Sequence, residues 1–200
     1  MLKYLTPAEF RYEARHGRAA GAGVQIAANV RAVNEKLRMA SFVFSNGAVD
    51  RAGDRIDPAG WVLSDFRRNP VALFAHDSKA LPIGRARNVR VGENSLLGDI
   101  EFADAEISIF ADQCWRMVKG GFMPAVSVGF APLDWSWARD PARPGGLDFK
   151  RQALLEISCV PVPAHPGALL VGASLPSAPN QKARQRERDL ELSRLRYGPE

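Results

Sequence analysis

The stretch PAVSVGF, residues 124–130, alternates in side-chain size with the two-residue period of a β-strand. Large apolar side chains, suited to a core, share one face: Val126, Val128 and Phe130. Small residues share the other: Ala125, Ser127 and Gly129. The small face would leave space above the Ser127 hydroxyl for a substrate backbone to approach closely. A serine between alanine and glycine also fits a crowded sheet without any chemical role, so both interpretations stay open.

Short β-rich segments lie on both sides of this stretch. Turn signals and β-branched or aromatic residues predict strands at 39–45, 71–76, 83–91, 95–102, 125–137 and 147–162. A helix is predicted from Asp57-Pro58 to the residue before Pro70, and a stronger one from an Asp104 cap to Gly120-Gly121. Many short strands with one good helix predict an α+β, mainly β fold, namely a compact antiparallel β-barrel with a few flanking helices.

The chain divides into three parts by composition. Residues 1–38 are rich in Ala, Gly and Arg without a clear strand signal, and we predict a loosely ordered N-terminal arm there. Residues 39–173 would form the one folded domain, since 46% hydrophobic and 24% charged residues suffice for one core. Residues 174–200 begin with a linker, SLPSAPNQ, and continue as a charged helix candidate with a thin leucine stripe.

Charge and cysteine usage restrict the classes of partner. The net charge of +5 divides into a surplus of +4 in residues 1–40, −1 in residues 41–180 and +2 in residues 181–200. The folded part therefore carries no basic face of the kind that nucleic acid requires. Cys114 and Cys159 lack CxxC spacing and lie in apolar surroundings, which predicts buried thiols in a reducing compartment, with cytoplasm as the default. No 18-residue apolar run or secretion signal is found.

Two residues besides Ser127 are candidates for chemistry. The chain has three histidines; His16 lies in the arm, whereas His76 ends the apolar strand VALFAH where it meets a loop. Glu156 stands within ALLEISCV, and a carboxylate in so apolar a stretch needs a partner, which the His76 imidazole could be. An ion pair with a neighbouring arginine or an exposed edge position would explain Glu156 equally well.

Four motifs resemble those of one known family. VDRAGDRIDPAGW (49–61), LFAHD with PIGR (73–77, 82–85), KGGFMPAVSVGF (119–130) and LEISCVPVPAHPGA (155–168) occur in order and are similar to motifs of the prohead (capsid maturation) proteases of HK97-like phages. The resemblance covers about residues 40–172. It implies a serine endopeptidase with a fold related to herpesvirus assemblins, acting in the host cytoplasm inside the assembling prohead on scaffold segments, capsid precursor and itself.

The resemblance also carries roles onto residues. It implies Ser127 as nucleophile, His76 as general base and Glu156 as third member. The family's usual Asn is His165 here, and because assemblins use a second histidine, His165 is a rival for the third position. The oxyanion hole could lie near Gly84-Arg85 or at the Gly120-Gly121 turn. No cofactor or metal is expected, and a homodimer through the helix after Asp104 is conceivable by analogy with assemblins.

Three other functions compete with this one. A metallohydrolase would use His76, Asp77, Glu156 and His165, although HExxH and dense ligand spacing are missing. A cysteine hydrolase would use Cys114 or Cys159. A non-catalytic assembly factor with a degenerate protease fold would bind scaffold or capsid protein through the C-terminal helix.

Overall fold

The structure is a computed structural model of the chain, and it describes residues 3–4, 7–16, 22–50 and 52–162. Within them the chain forms two helices, α1 (Pro7–Arg15) and α2 (Ile109–Lys119). Its ten strands are β1 (Lys3–Tyr4), β2 (Ala22–Asn34), β3 (Met39–Asn46), β4 (Arg55–Ile56), β5 (Trp61–Val62), β6 (Val71–Phe74), β7 (Gly84–Val91), β8 (Ser95–Phe102), β9 (Ala125–Trp137) and β10 (Leu147–Val160). The α+β, mainly β class is therefore confirmed.

The strands form a mixed sheet. β2 to β3, β3 to β8, β8 to β7 and β7 to β6 are antiparallel neighbours, and β9 lies antiparallel to both β2 and β10. The short strands β4, β5 and β6 pair in parallel with successive parts of β10, and β1 pairs in parallel with β2. The predicted antiparallel barrel is therefore not supported. One edge of the 14-residue β10 is covered piecewise by segments that run in its own direction.

The segment between Asp57 and Pro70 is not the predicted helix. It consists of a 3-10 turn at Pro58–Gly60, the two-residue strand β5, and a second 3-10 turn at Phe66–Arg68. Apolar residues at three- and four-residue steps fit a helix. Here Trp61 lies in β5 and Phe66 in a 3-10 turn, and both side chains are buried. Backbone pairing of β5 with β10 outweighs the local helical pattern.

The predicted long helix is present, but it begins four residues later than predicted, at Ile109. Its N-cap is Ser108, whose hydroxyl accepts a hydrogen bond from the Ala111 amide at 3.1 Å. Asp104 instead caps the preceding turn, where its carboxylate accepts from the amides of Glu106 and Ile107. The helix ends before Gly120 and Gly121 as predicted, and Gly121 has φ +75°.

The strand β2 is the largest element that the sequence pattern missed. Residues 22–34 were predicted to belong to a loosely ordered arm, but they form a 13-residue strand between β3 and β9. The prediction is wrong for this stretch, because its many small residues give no β-signal although its backbone pairs on both sides. The linker and the charged helix predicted for residues 174–200 lie outside the described residues, and the three-part division of the chain stays a prediction.

One apolar core lies under the sheet and α2. Ala111, Cys114, Trp115 and Val118 turn inward from the helix, and Trp115 packs against Phe102 with ring centroids 5.5 Å apart. From α1, the fully buried Phe10 contacts Trp135 and Phe149. No helix among the described residues is long and apolar enough to cross a membrane.

Candidate active site

His76 stands on a tight left-handed turn that follows β6. Ala75 and His76 have φ of +51° and +61°, and left-handed backbone costs a residue with a Cβ roughly 1–2 kcal/mol. The turn is anchored on β10, because the Ala75 amide donates to the Cys159 carbonyl at 2.9 Å. Strand β6 therefore ends at Phe74, two residues earlier than predicted, and the turn directs the imidazole to a fixed place over β10.

Glu156 binds the His76 ring. The His76 Nδ1 lies 2.6 Å from Glu156 Oε1. A carboxylate can only accept, so Nδ1 carries the proton and Nε2 is left with a free lone pair. Glu156 is 1% exposed, which excludes the exposed edge position, and its partner is the histidine instead of an arginine. The predicted contact between these two side chains is thus present.

Ser158 holds the other side of the same carboxylate. Its hydroxyl donates to Glu156 Oε2 at 2.6 Å and accepts from the backbone amide of His76 at 3.1 Å. Sequence reasoning missed this residue, because a serine in a strand looks ordinary. The available signal was the two-residue spacing of Glu156 and Ser158, which puts both side chains on one face of a strand.

Ser127 lies on β9 opposite these groups. In the antiparallel register Ser127 faces Ser158 and Gly129 faces Glu156, and directly opposed side chains lie about 4.5–5.5 Å apart at Cβ. Ser127 is buried, and the structure brings it to the same face of the sheet as Glu156 and Ser158. Within the described part of the chain, Ser127 and His76 are not joined by a hydrogen bond. The opposite face of β9 enters the core as predicted, through Val126, Val128 and Phe130.

Gly129 has a different role from the one predicted. A Cβ at this position would lie 2.3 Å from Glu156 Oε1 and 2.9 Å from the Cδ of the same side chain. The space above Gly129 is therefore filled by the Glu156 carboxylate and is not open to a substrate backbone. Glycine is required here because the carboxylate rests directly on the β9 backbone.

Comparison with known proteins shows the family of this chain. Residues 26–177 match the family described as caudovirus prohead serine protease. The chain belongs to this family. It is also 34% identical over 121 residues to the prohead protease of Escherichia phage T5, an alignment that covers 58% of this chain and 53% of that protein. The chain thus spans about half the length of this curated relative. No solved structure matches.

In this member of the prohead serine protease family, the three described ligands of the alternative metal site, His76, Asp77 and Glu156, are not grouped around one point. Asp77 accepts from the amides of Lys79 and Ala80 in its own turn, while Glu156 is engaged by His76 and Ser158. Among the described residues, no group of three or more His, Cys, Asp and Glu side chains is arranged around one point. His165 lies outside the described residues.

The two cysteines are buried thiols, as predicted. Cys114 and Cys159 are 3% and 0% exposed and form no disulfide. Burial raises the pKa of both thiols, and the nearby Cys114 raises the pKa of Cys159 further. A thiol held protonated is a poor nucleophile, which disfavours the cysteine-hydrolase alternative.

The two predicted positions for an oxyanion hole are already occupied by the fold. The Gly120 and Gly121 amides donate to the carbonyls of Arg116 and Val118 at the end of α2. Gly84 and Arg85 are paired with β6 on one side and β8 on the other. Arg85 also binds Glu101, which lowers the pKa of that carboxyl to about 2. Neither position offers an evident free donor to a reacting carbonyl.

Proposed function

We propose that this chain is a serine endopeptidase in which Ser127 is the nucleophile, His76 the general base and Glu156 the residue that orients His76. The observation that carries the proposal is the 2.6 Å contact between His76 Nδ1 and Glu156 Oε1, on the sheet face to which Ser127 belongs. The contact directs the basic Nε2 away from Glu156. The proposal requires a hydrogen bond between Ser127 Oγ and His76 Nε2, a contact that in many enzymes tightens only when substrate binds.

The reaction follows from these positions. Ser127 Oγ attacks the scissile carbonyl carbon while His76 Nε2 takes the hydroxyl proton. The C–N bond breaks as the imidazolium returns that proton to the leaving amine, and an acyl-enzyme remains. Water then attacks the ester carbonyl as His76 accepts its proton, and the bond from the acyl carbon to Ser127 Oγ breaks as the imidazolium returns that proton to Oγ. Glu156 stabilises the imidazolium, and its burial strengthens that attraction.

The substrates we propose are scaffold segments and the capsid precursor, together with the chain itself. The relative's name, prohead protease, supports a place inside the assembling prohead in the host cytoplasm. The competing function is a non-catalytic assembly factor. The buried His76–Glu156 pair favours the enzyme, because a carboxylate on Nδ1 orients the ring as a general base requires.

The decisive experiment is mass spectrometry of the chain co-expressed with its cognate capsid and scaffold proteins. Wild type should yield defined cleavage products, and Ser127→Ala should yield none. Ser45→Ala is the matched control, because Ser45 is also a buried serine of the sheet but has no contact with the site. Identical products from wild type and Ser127→Ala, or intact precursors in assembled proheads with both, would favour the assembly factor.

Pairing of two copies through α2 stays a prediction. Exposed apolar side chains on and near this helix support it: Ile109, Phe110, Met117 and Phe122. Such a patch is unusual on a monomer and fits a second copy. Light scattering should give a dimer mass for wild type and a monomer mass for Phe110→Asp with Met117→Asp; a wild-type monomer at all concentrations contradicts the prediction.

A further inference from the structure

We infer that Ser158 is a positioning residue for the proposed reaction: one buried hydroxyl holds both the carboxylate and the backbone of the histidine that the carboxylate orients. The inference rests on the proposed function and adds a residue to which neither the motifs nor the comparisons give a role. Its basis is two hydrogen bonds of Ser158 Oγ. This hydroxyl donates to Glu156 Oε2 at 2.6 Å and accepts from the His76 amide at 3.1 Å.

The hydroxyl has no proton left to donate to another partner. A serine hydroxyl has one proton to donate, and this proton is directed to Glu156. Ser158 is therefore unsuited to be the nucleophile, which must give its proton to the base. Ser158 is 0% exposed, so water cannot readily replace its hydroxyl. Loss of the hydroxyl would leave a buried carboxylate oxygen and a buried amide each without one partner.

The carboxylate needs this second attachment. The terminal torsion of a glutamate is broad, so one hydrogen bond to His76 does not fix the plane of the carboxylate. Ser158 Oγ donates a hydrogen bond to Oε2, while Oε1 packs against the β9 backbone at Gly129. The three contacts together define where His76 Nδ1 is held, and hence where Nε2 points.

The same hydroxyl also supports the strained turn. His76 has φ +61°, an unfavourable conformation for a residue with a side chain. The hydrogen bond from its amide to Ser158 Oγ stabilises this conformation. Because Glu156 and Ser158 are two residues apart on β10, any shift of that strand moves the imidazole ring and backbone together.

The test uses the purified full chain, with a fluorophosphonate as the probe for an activated serine. Wild type should be labelled and Ser127→Ala should not; equal labelling of both would contradict the proposed function itself, separately from the role of Ser158. Ser158→Ala should be labelled about 10- to 100-fold more slowly than wild type. Ser45→Ala, the matched buried-serine control, should be labelled at the wild-type rate.

A spectroscopic readout separates positioning from general stability. In ¹⁵N-histidine-labelled protein, the Nδ1 proton of His76 should give a downfield resonance that Ser158→Ala broadens or shifts and Ser45→Ala leaves in place. In a double-variant cycle, Ser158→Ala should slow labelling less when Glu156→Gln is already present than it does alone, because contacts that act through one group are not additive. If Ser158→Ala does not fold, Ser158→Cys, of similar volume, should show the same slower labelling and shifted resonance.

Two results would overturn the inference. The first is wild-type labelling with an unmoved Nδ1 resonance in Ser158→Ala or, in its place, Ser158→Cys. The second is a full multiplicative loss when the Ser158 substitution is added to Glu156→Gln, which would mean that the hydroxyl does not act through the carboxylate.

Discussion

Gly129 is the residue on which the position of the Glu156 carboxylate depends most directly. We predict that Gly129→Ala lowers the rate of Ser127 labelling by at least about 100-fold, because the new Cβ would lie 2.3 Å from Glu156 Oε1 and displace it from His76. The free energy of unfolding should fall by only about 1–3 kcal/mol. Labelling kinetics and urea unfolding measure the two effects.

Gly92→Ala is the control for this substitution. A Cβ at Gly92 would lie 3.1 Å from the flexible end of the Leu97 side chain. Gly92 lies between β7 and β8, outside the strands β9 and β10 that carry Ser127 and Glu156. Both labelling and stability should stay close to wild type. Normal labelling of Gly129→Ala would mean that the carboxylate can move without consequence, contrary to its proposed role.

Glu156 and His165 can be compared directly as third member. Glu156→Gln should slow Ser127 labelling about 10²- to 10⁴-fold, because a neutral amide cannot stabilise the imidazolium. His165→Asn, which restores the residue typical of the family motif, should leave the rate at about its wild-type value. The measurement is the labelling rate at equal protein concentration; a large loss in His165→Asn with a small one in Glu156→Gln would exchange their roles.

The candidate residues and the His76–Glu156 contact were predictable from the sequence, but the contacts of Ser158 and Gly129 with Glu156 were not. His76, Ser127 and Glu156 were each conspicuous, one at a strand end, one on a face of small residues and one as a lone carboxylate among apolar neighbours. Their arrangement depends on a pairing of β6 with β10 across some 80 positions, which local periodicity does not encode. The left-handed turn at Ala75 and His76 has no sequence signal, because neither residue is glycine.

At the scale of elements, α1 is fastened to two loops beside β10 through one arginine. Arg11 Nη2 contacts Asp54 Oδ1 and the Ala52 carbonyl, both at 2.5 Å, and its Nε donates to the Gly145 carbonyl at 2.8 Å. The Leu147 amide, at the start of β10, donates to the same Asp54 oxygen. Burial, with Asp50 nearby, raises the Asp54 pKa from 3.8 to about 6 despite Arg11.

This attachment should give stability a defined pH dependence. Between pH 4 and pH 6 the folded chain retains an Asp54 proton that the unfolded chain has released, so the free energy of unfolding falls as pH rises through this window. The decline from this group should be about 2–3 kcal/mol. Asp54→Asn cannot ionise and should lack this component.

Urea unfolding of wild type and Asp54→Asn from pH 4 to pH 7 measures the difference. Other carboxylates, such as Glu101, titrate equally in both proteins and cancel in the comparison. The wild-type slope should be the more negative of the two between pH 4 and pH 6. Parallel curves would mean that Asp54 is not protonated in the folded chain at these pH values.

The helices and strands were predicted correctly where the local sequence pattern agrees with the long-range strand pairing. The β7–β8 hairpin and the long strands β9 and β10 follow from alternation and turn residues, and the Gly92 amide closes the predicted turn on the Ser95 carbonyl. The prediction failed at Asp57 to Pro70, where a helical spacing of apolar residues is used by two 3-10 turns and a short strand. It also failed at Ala22–Asn34, whose strand depends on long-range pairing.

At the scale of the whole molecule, β10 pairs with more strands than any other strand among the described residues. It pairs with β9 along almost its full length and with β4, β5 and β6 on its other edge. We predict that the amides of Ile157, Ser158 and Cys159 exchange with deuterium only through global unfolding, because strands lie on both sides of them.

Hydrogen-exchange mass spectrometry or NMR tests this prediction. The matched region is the irregular part of β7 around Asn88, whose φ is +53° and where the register with β8 shifts, and its amides should exchange much faster. Faster exchange in β10 than around Asn88 would contradict the assignment of β10 as the most stable strand.

The alternation along β10 has a consequence for genetics. In the proposed reaction Glu156 and Ser158 position His76, whereas Ile157 and Cys159, between and beyond them, lie in the core. In a mutational screen of this strand, alleles at even-numbered and odd-numbered positions should therefore differ in phenotype. Substitutions at 156 and 158 should lower function at every temperature, and mild ones at 157 and 159 should give heat-sensitive alleles that work in the cold. Heat-sensitive alleles at 157 and 159 would then report on folding and not on chemistry.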